Sequence, residues 1–253
     1  MHKGLTAARS YIGTSGWSYP HWKQKFYHDT AQKDWLRYCA ERFTGIEINS
    51  SFYHLQRQEI FAGWGQQTPA AFRFSLKANR YLTHNKKLND PDKSISLERE
   101  RAKGLGNKLA VVLWQLPGQF QINLRRLETF STALEQWKEA RHCIEFRHPS
   151  WFTDDVADCL HKHRIAVCQS DAADWKLWDI VTTDFVYVRL HGHTITYESS
   201  YNLASLSKWV IKLQNWLNEG RDVHVYFDND AKAAAPRNAM QLQEMLHQSR
   251  QQE

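Results

Sequence analysis

Four cysteines in 253 residues, Cys39, Cys143, Cys159 and Cys168, are too few and too scattered for a disulfide framework, and no CxxC spacing offers a zinc ribbon or redox pair. They read as reduced side chains packed as small hydrophobes. No run approaches the ~18 apolar residues of a membrane helix. Residues 1–10 lack the apolar core of a signal peptide. Together these absences predict a cytoplasmic protein with no membrane partner. Prolines (6) and glycines (11) form no linker, and no internal repeat is visible, which excludes solenoids and an obvious two-domain split. The GxGxxG turn of a dinucleotide-binding sheet is absent, and so is the HExxH zinc pair.

What is present is a globular composition, 42% hydrophobic and 24% charged, long enough to bury a sizeable core. Lys and Arg number 33 against 27 Asp and Glu, a net charge of +6. The excess is uneven, with 20 basic against 9 acidic residues over 1–126, and 13 against 18 over 127–253. That asymmetry favours anionic partners, either a small phosphate-bearing molecule or nucleic acid.

Apolar strand-like runs occupy residues 11–15, 45–49, 72–77, 109–116, 142–147, 165–171, 185–191 and 222–228. Helix-spaced segments follow at 31–43, 55–67, 92–105, 124–137, 154–163, 203–218 and 237–248, the last opened by Pro236; only the sixth connection, around 175–182, is weak. Strand–helix alternation implies parallel pairing, and eight units in this length predict an α/β fold, a single-domain TIM-type (β/α)8 barrel over 11–253 after an extension at 1–10. An open doubly wound sheet is the rival.

Successive strand side chains face opposite ways. With Ile46 and Ile48 turned to the helices, Glu47 and Asn49 point inward. The same parity turns Ser75 and Lys77, Glu145 and Arg147, Tyr187, Arg189 and His191, and Tyr226 and Asp228 inward, with Gln115 and Asp171 added from strands four and six. Ionisable groups thus collect at the C-terminal mouth, where barrels of this type carry their active sites. An internal ion-pair network is the bland account, pairing Glu47 with Lys77, Arg147 with Asp171 and Arg189 with Asp228. The functional account puts Lys77, Arg147 and Arg189 on a phosphate or carboxylate. Glu47, Glu145 and Asp171 then supply acid–base groups and His191 a proton shuttle. Lys77 as an imine-forming nucleophile is the lesser alternative to a Glu47 salt bridge. No metal ligand set is assigned and no cofactor is required, with a carboxylate-held divalent ion left open.

Two loops stand out. Residues 13–22 combine Gly13 and Gly16 with Trp17, Tyr19 and Trp22, either stacking platforms or packing aromatics. Residues 79–108 carry Lys86, Lys87, Lys93, Arg99, Arg101 and Lys103, a solvated face or a phosphate track.

The series GTSGW (from Gly13), EINSSFY (from Glu47), FSLKAN with LTH (from Phe74), WQLP (from Trp114), EFRHPSW (from Glu145), SD (Ser170-Asp171), YVRLHG (from Tyr187) and YFDND with APRNA (from Tyr226) resembles the domain-of-unknown-function 72, or YecE-like, family. The resemblance implies a TIM-type barrel whose cleft is lined by Glu47, Asn49, Lys77, Gln115, Glu145, Arg147, Asp171, Arg189, His191, Asp228 and Asn229. It implies no reaction. The family commonly has FNN where this chain has Phe227-Asp228-Asn229, which adds a negative charge. The expectation is an enzyme of hydrolase, isomerase or lyase type acting on a phosphate-bearing substrate, with Trp17 and Tyr53 flanking its organic part. The alternative is a non-catalytic nucleic-acid-binding module. Oligomeric state is left open.

Overall fold

The computed structural model describes residues 8–251, so most of the expected extension at 1–10 lies outside the described residues. The strands are β1 (Ser10–Thr14), β2 (Gly45–Ile48), β3 (Arg73–Lys77), β4 (Leu109–Gln115), β5 (Arg141–Glu145), β6 (Ile165–Ala172), β7 (Phe185–Gly192) and β8 (Asp222–Phe227). The helices are α1 (Trp35–Ala40), α2 (Ser50–Tyr53), α3 (Gln58–Gln66), α4 (Pro91–Ala102), α5 (Leu124–Leu134), α6 (Asp154–Lys162), α7 (Leu203–Asn218) and α8 (Ala234–Arg250). The strands form one eight-stranded sheet in the order β1-β8-β7-β6-β5-β4-β3-β2, with every pairing parallel. This is the expected (β/α)8 barrel.

The seam between β1 and β2 closes by a single parallel bridge, Ser15 with Glu47. Gly16 N donates to Glu47 O at 2.7 Å, and Thr44 N to Ile12 O at 3.2 Å. Gly13 permits this approach: a Cβ there would lie 1.9 Å from Gly45 O, a collision with backbone that no rotamer relieves.

Polar caps set where several helices begin. Asn123 Oδ1 accepts from Arg126 N at 3.0 Å before α5, Thr153 Oγ1 from Val156 N at 3.4 Å before α6, and Asn202 Oδ1 from Ser205 N at 2.8 Å before α7. Between β6 and β7 no helix forms. Residues 173–184 instead run back along β6, where Thr182 Oγ1 donates to Ile165 O at 2.7 Å and Gln169 Nε2 donates to Ile180 O at 2.7 Å. Trp178 covers the sheet there, stacked 5.1 Å from Phe152. The weakness of the helical pattern around 175–182 has this cause, and the sixth of the eight strand–helix units counted from the sequence lacks its helix.

Two cores result. Outward strand residues such as Val112, Trp114, Ile144, Val167 and Val188 meet helix residues such as Leu127, Phe130, Leu160, Leu213 and Leu242. Inside the barrel, Val111, Leu113, Cys143, Ala166, Cys168, Phe185, Tyr187 and Tyr226 form a plug. All four cysteines are free thiols. No helix among the described residues is long and apolar enough to cross a membrane.

Candidate functional site

Above the plug, the next layer of inward residues is charged. Arg189, on β7, is fully enclosed at its centre. Its Nε donates to Glu47 Oε2 at 3.0 Å, its Nη1 to Glu145 Oε2 at 2.7 Å, and its Nη2 to Glu47 Oε1 and Asp228 Oδ2, both at 2.8 Å. His191 Nε2 and Ser15 Oγ take the remaining contacts at 3.3 and 3.2 Å. Glu47 is further held by Tyr187 Oη, which donates to Oε2 at 2.6 Å and pairs with Ser75 Oγ at 2.5 Å, and by the Ser15 hydroxyl.

These contacts set the charges. Burial opposes ionisation of Glu145, but Arg189 and Arg147 outweigh it and hold the carboxyl well below its ordinary range. Asp228 is likewise lowered, with Arg189 overcoming burial and His191 and Lys77 adding to it. His191 sits between them, Nε2 3.4 Å from Glu145 Oε1 and Nδ1 3.1 Å from Asp228 Oδ2, although the second contact lacks hydrogen-bond alignment.

Three expectations need correction. Arg189 cannot clamp an anion as the molecule stands: its donors are spent on protein acceptors and its side chain has no accessible surface. Asp171 does not join the cluster. On β6 the plug takes Ala166 and Cys168, so Ser170 is the inward residue at that height, donating to Glu145 Oε1 at 3.2 Å, while Asp171 lies half-buried near Tyr201. Asn229 also faces away; its Nδ2 donates to Ser199 O and Asn238 Oδ1, tying the loop after β7 to α8.

Of the expected ion pairs, only Arg189–Asp228 forms. Arg147 pairs with Glu145 instead of Asp171, its Nε donating to Oε1 at 3.0 Å. Lys77 makes no salt bridge to Glu47, because β2–β3 register sets Glu47 opposite Ser75 and leaves Lys77 two residues nearer the mouth. Lys77 Nζ lies 4.2 Å over the Phe52 ring and has no hydrogen-bond or ion-pair partner among the described residues. Burial and then Arg189 lower its ammonium to about 8.

Accessibility separates the layer into two. Glu47, Glu145, Arg189 and His191 are 0% exposed, whereas Lys77 keeps 6% as a residue, the Asp228 side chain 9% and the Arg147 side chain 17%. The last three are the groups a ligand can touch. Arg147 stands over Trp175, 4.2 Å from its ring centroid, and its Nη1 donates to Tyr197 Oη at 3.1 Å; Nη2 has no partner among the described residues. Asp228 Oδ1 also has none. Half-buried His84 is pushed down to about 4 by burial and then by Arg80, Lys77 and Arg147, so three cations converge on one side of the mouth. Gln115 lies beside Glu145 in the β4–β5 register, its Nε2 turned to Leu116 O at 3.0 Å. Trp17, Asn49 and exposed Tyr53 line a cleft of about 210 Å³ with Gly16, Ser18, Tyr19 and Ser50, and Asn49 Oδ1 is buried without a partner. Trp22, by contrast, is fully packed.

Sequence reasoning did not single out Ser15, Ser170, Phe52, Tyr187, Trp175 or Tyr197. Alternation already marked Tyr187 as inward. Trp175 and Tyr197 sit on irregular loops that carry no periodic signal. No mouth residue belongs to a three-ligand metal grouping among the described residues; the grouping found there is Glu128, Cys159 and His163, between α5 and α6. A larger cavity, about 550 Å³, lies at the opposite end of the barrel beside Arg141 and Phe185, so size does not mark the site.

Fold and mouth define a class, the single-domain (β/α)8 barrel with a charged layer at the C-terminal ends of its strands. Within it, the chain belongs to the family described as "Protein of unknown function DUF72", whose model matches residues 11–253. It is 24% identical to the UPF0759 protein YunF of Bacillus subtilis (strain 168), over 93% of this chain and 94% of that protein. To the UPF0759 protein YecE of Escherichia coli (strain K12) it is 29% identical, over 56% of this chain and 50% of that one. A DUF72 family protein of Thermotoga maritima MSB8 (TM1631) superimposes with a TM-score of 0.84 at 25% identity, covering 94% and 99% of the two chains. One from Enterococcus faecalis V583 (EF0366) does so with a TM-score of 0.81 at 18% identity, covering 94% and 95%. The family description leaves activity open, so function is argued from the mouth itself.

Proposed function

We propose that the mouth binds a small organic anion, phosphate-bearing by preference, and acts on it by acid–base chemistry. The observation that carries this reading is the split between spent and unspent groups. The enclosed carboxylates of the mouth, Glu47 and Glu145, are both neutralised on Arg189, while the accessible donors, Arg147 Nη2 and Lys77 Nζ, have no partner among the described residues. A guanidinium edge and an ammonium suit an oxyanion. Asp228 Oδ1 is left to accept from a hydroxyl, and the cleft of Trp17, Asn49 and Tyr53 can hold the organic part. With Asp228 held ionised by Arg189, Lys77, lowered to about 8, is the group that can give or take a proton close to neutral pH.

Nucleic acid fits this reading less well. Several cations of the 79–108 run are engaged with neighbouring carboxylates, Lys86 with Asp90, Arg99 with Glu139 and Lys103 with Glu100. Titration calorimetry with ribose 5-phosphate, glucose 6-phosphate and their unphosphorylated sugars tests the proposal. Binding confined to the phosphates and weakened about 10- to 100-fold by Arg147→Ala, with the fold intact, is expected from loss of a charge-assisted contact. Equal binding of the neutral sugars, or indifference to Arg147, overturns it. So does binding only of oligonucleotides that salt abolishes.

A further inference from the structure

We infer that Lys77 is a covalent nucleophile, and that the substrate of this site is a carbonyl compound, an aldehyde or ketone carrying an anionic group, held as an imine on Lys77 Nζ. The inference rests on the anion-binding reading above for the second half of that substrate, and on geometry of its own for the first.

An ordinary barrel lysine at this depth neutralises a carboxylate. Here Glu47 is taken up by Arg189, Ser15 and Tyr187, Glu145 by Arg189, Arg147 and Ser170, and Asp228 Oδ2 by Arg189, while Asp228 Oδ1, without a partner among the described residues, stays outside ion-pair distance of Lys77. Among the described residues no carboxylate oxygen comes within 4.0 Å of Lys77 Nζ, which lies 4.2 Å over the face of Phe52. The backbone around it is fixed. Ser51 Oγ donates to Lys77 O at 2.7 Å and Ala78 N to Leu113 O at 2.9 Å, so the side chain is presented from a rigid strand end. Burial and the positive charge of Arg189 favour the neutral amine, against Asp228, Glu47 and Glu145, which favour the ammonium. An amine that releases its proton near 8 is neutral at physiological pH on the order of a hundred times more often than an ordinary lysine.

The chemistry balances without a further reactant. The Nζ lone pair forms a bond to the carbonyl carbon and the C=O π pair moves onto oxygen. The alkoxide so formed takes one proton from the new ammonium nitrogen, giving the neutral carbinolamine, with Asp228 ionised nearby to stabilise the transient positive charge on nitrogen. The second N–H proton passes through solvent to the hydroxyl, which leaves as water as the nitrogen lone pair closes the C=N bond. One amine and one carbonyl give one imine and one water. Arg147 Nη2 is free to hold the anionic end.

Cyanoborohydride trapping, with peptide mapping by mass spectrometry, tests this with two probes, glyceraldehyde 3-phosphate and glyceraldehyde. One adduct on the Lys77 peptide is expected, forming at least ~10-fold faster than on any other lysine, with a rate that rises as pH passes through about 8 in the wild-type chain. Lys77→Arg, which keeps the charge, abolishes it. Arg147→Ala slows the phosphate probe alone. Label spread over surface lysines with Lys77 untouched, while sugar phosphates still bind, refutes the nucleophile and leaves the anion site standing. Labelling of Lys77 equally fast by both probes does the reverse. The pH-rate profile of the wild-type chain decides the matter should the arginine variant fail to fold.

Discussion

Replacing Arg189 by Met removes the one cation that Glu47, Glu145 and Asp228 share, at contacts of 2.7 to 3.0 Å and with no solvent access to the guanidinium. Methionine fills most of the volume, so the change reports mainly on charge. Removing one partner of a buried pair costs about 3–5 kcal/mol at neutral pH, since the stranded charge keeps its desolvation penalty. For a chain of this size each kcal/mol moves Tm by roughly 2–4 °C, which puts the loss at roughly 6–20 °C. The pH dependence carries more information than the size. In the wild type, Glu145 and Asp228 have depressed folded values, so they contribute stability that is complete above the usual carboxylate range and lost as pH falls below it. Without Arg189 the folded values rise, the sign of the slope reverses, and acid helps the variant by discharging stranded carboxylates. The gap between the two proteins should therefore narrow from pH 7 towards pH 4.5, followed by urea denaturation at each pH. A variant within 1 kcal/mol of wild type at pH 7, or a gap that does not change with pH, would refute the assignment of Arg189 as the hub.

Glu98, on α4, is 3% exposed and accepts only Asn79 N, at 3.2 Å, among the described residues. It walls a cavity of about 350 Å³ with Leu55, Leu82, Leu97 and Trp114, and burial raises its carboxyl to about 8. The folded chain then holds a proton that the unfolded chain has lost, so stability falls as pH rises from about 4.5 to about 8. Glu98→Gln should flatten that slope and gain on the order of 3–5 kcal/mol relative to wild type at pH 9; an unchanged slope in denaturation against pH would show the carboxyl is ionised throughout. Gly13→Ala drives a Cβ into Gly45 O at the β1–β2 seam and should cost at least ~2–3 kcal/mol, whereas Gly118→Ala, with nothing within 4 Å, should stay within ~0.5 kcal/mol. Equal melting temperatures for the two variants would contradict the seam argument.

The barrel was legible because both periodicities were clean. Eight apolar runs gave eight strands, and alternation placed Glu47, Lys77, Gln115, Glu145, Arg147, Arg189, His191 and Asp228 inward, as found. Alternation counted from Val167 also gives Ser170 as the inward residue; Asp171 is favoured only by its charge. The pairing scheme failed for a different reason. It assumed that charges on adjacent strands meet, but Arg189 reaches Glu47 across the barrel, from β7 to β2, 142 positions apart in the chain. Contacts through a closed interior are set by barrel diameter and side-chain length, which no local pattern encodes. The same holds for Arg147, whose partners Trp175 and Tyr197 lie on loops.

The placement of the charge is itself an argument for a site. Three carboxylates on one guanidinium are a costly way to fill a barrel, since apolar residues of similar volume are often neutral or more stable. This chain fills the layer below in the inexpensive way, with Val111, Leu113, Cys143, Ala166 and Phe185. The layer of carboxylates around Arg189 lies at the height that opens to solvent through Lys77, Arg147 and Asp228. With the enclosed carboxylates fixed on Arg189, those three groups stand on a rigid layer before any ligand arrives, which is the preorganisation that the proposed binding and proton transfer would require. A framework with purely structural purpose would have no reason to leave an ammonium, a guanidinium edge and a carboxylate oxygen unpaired at its accessible surface.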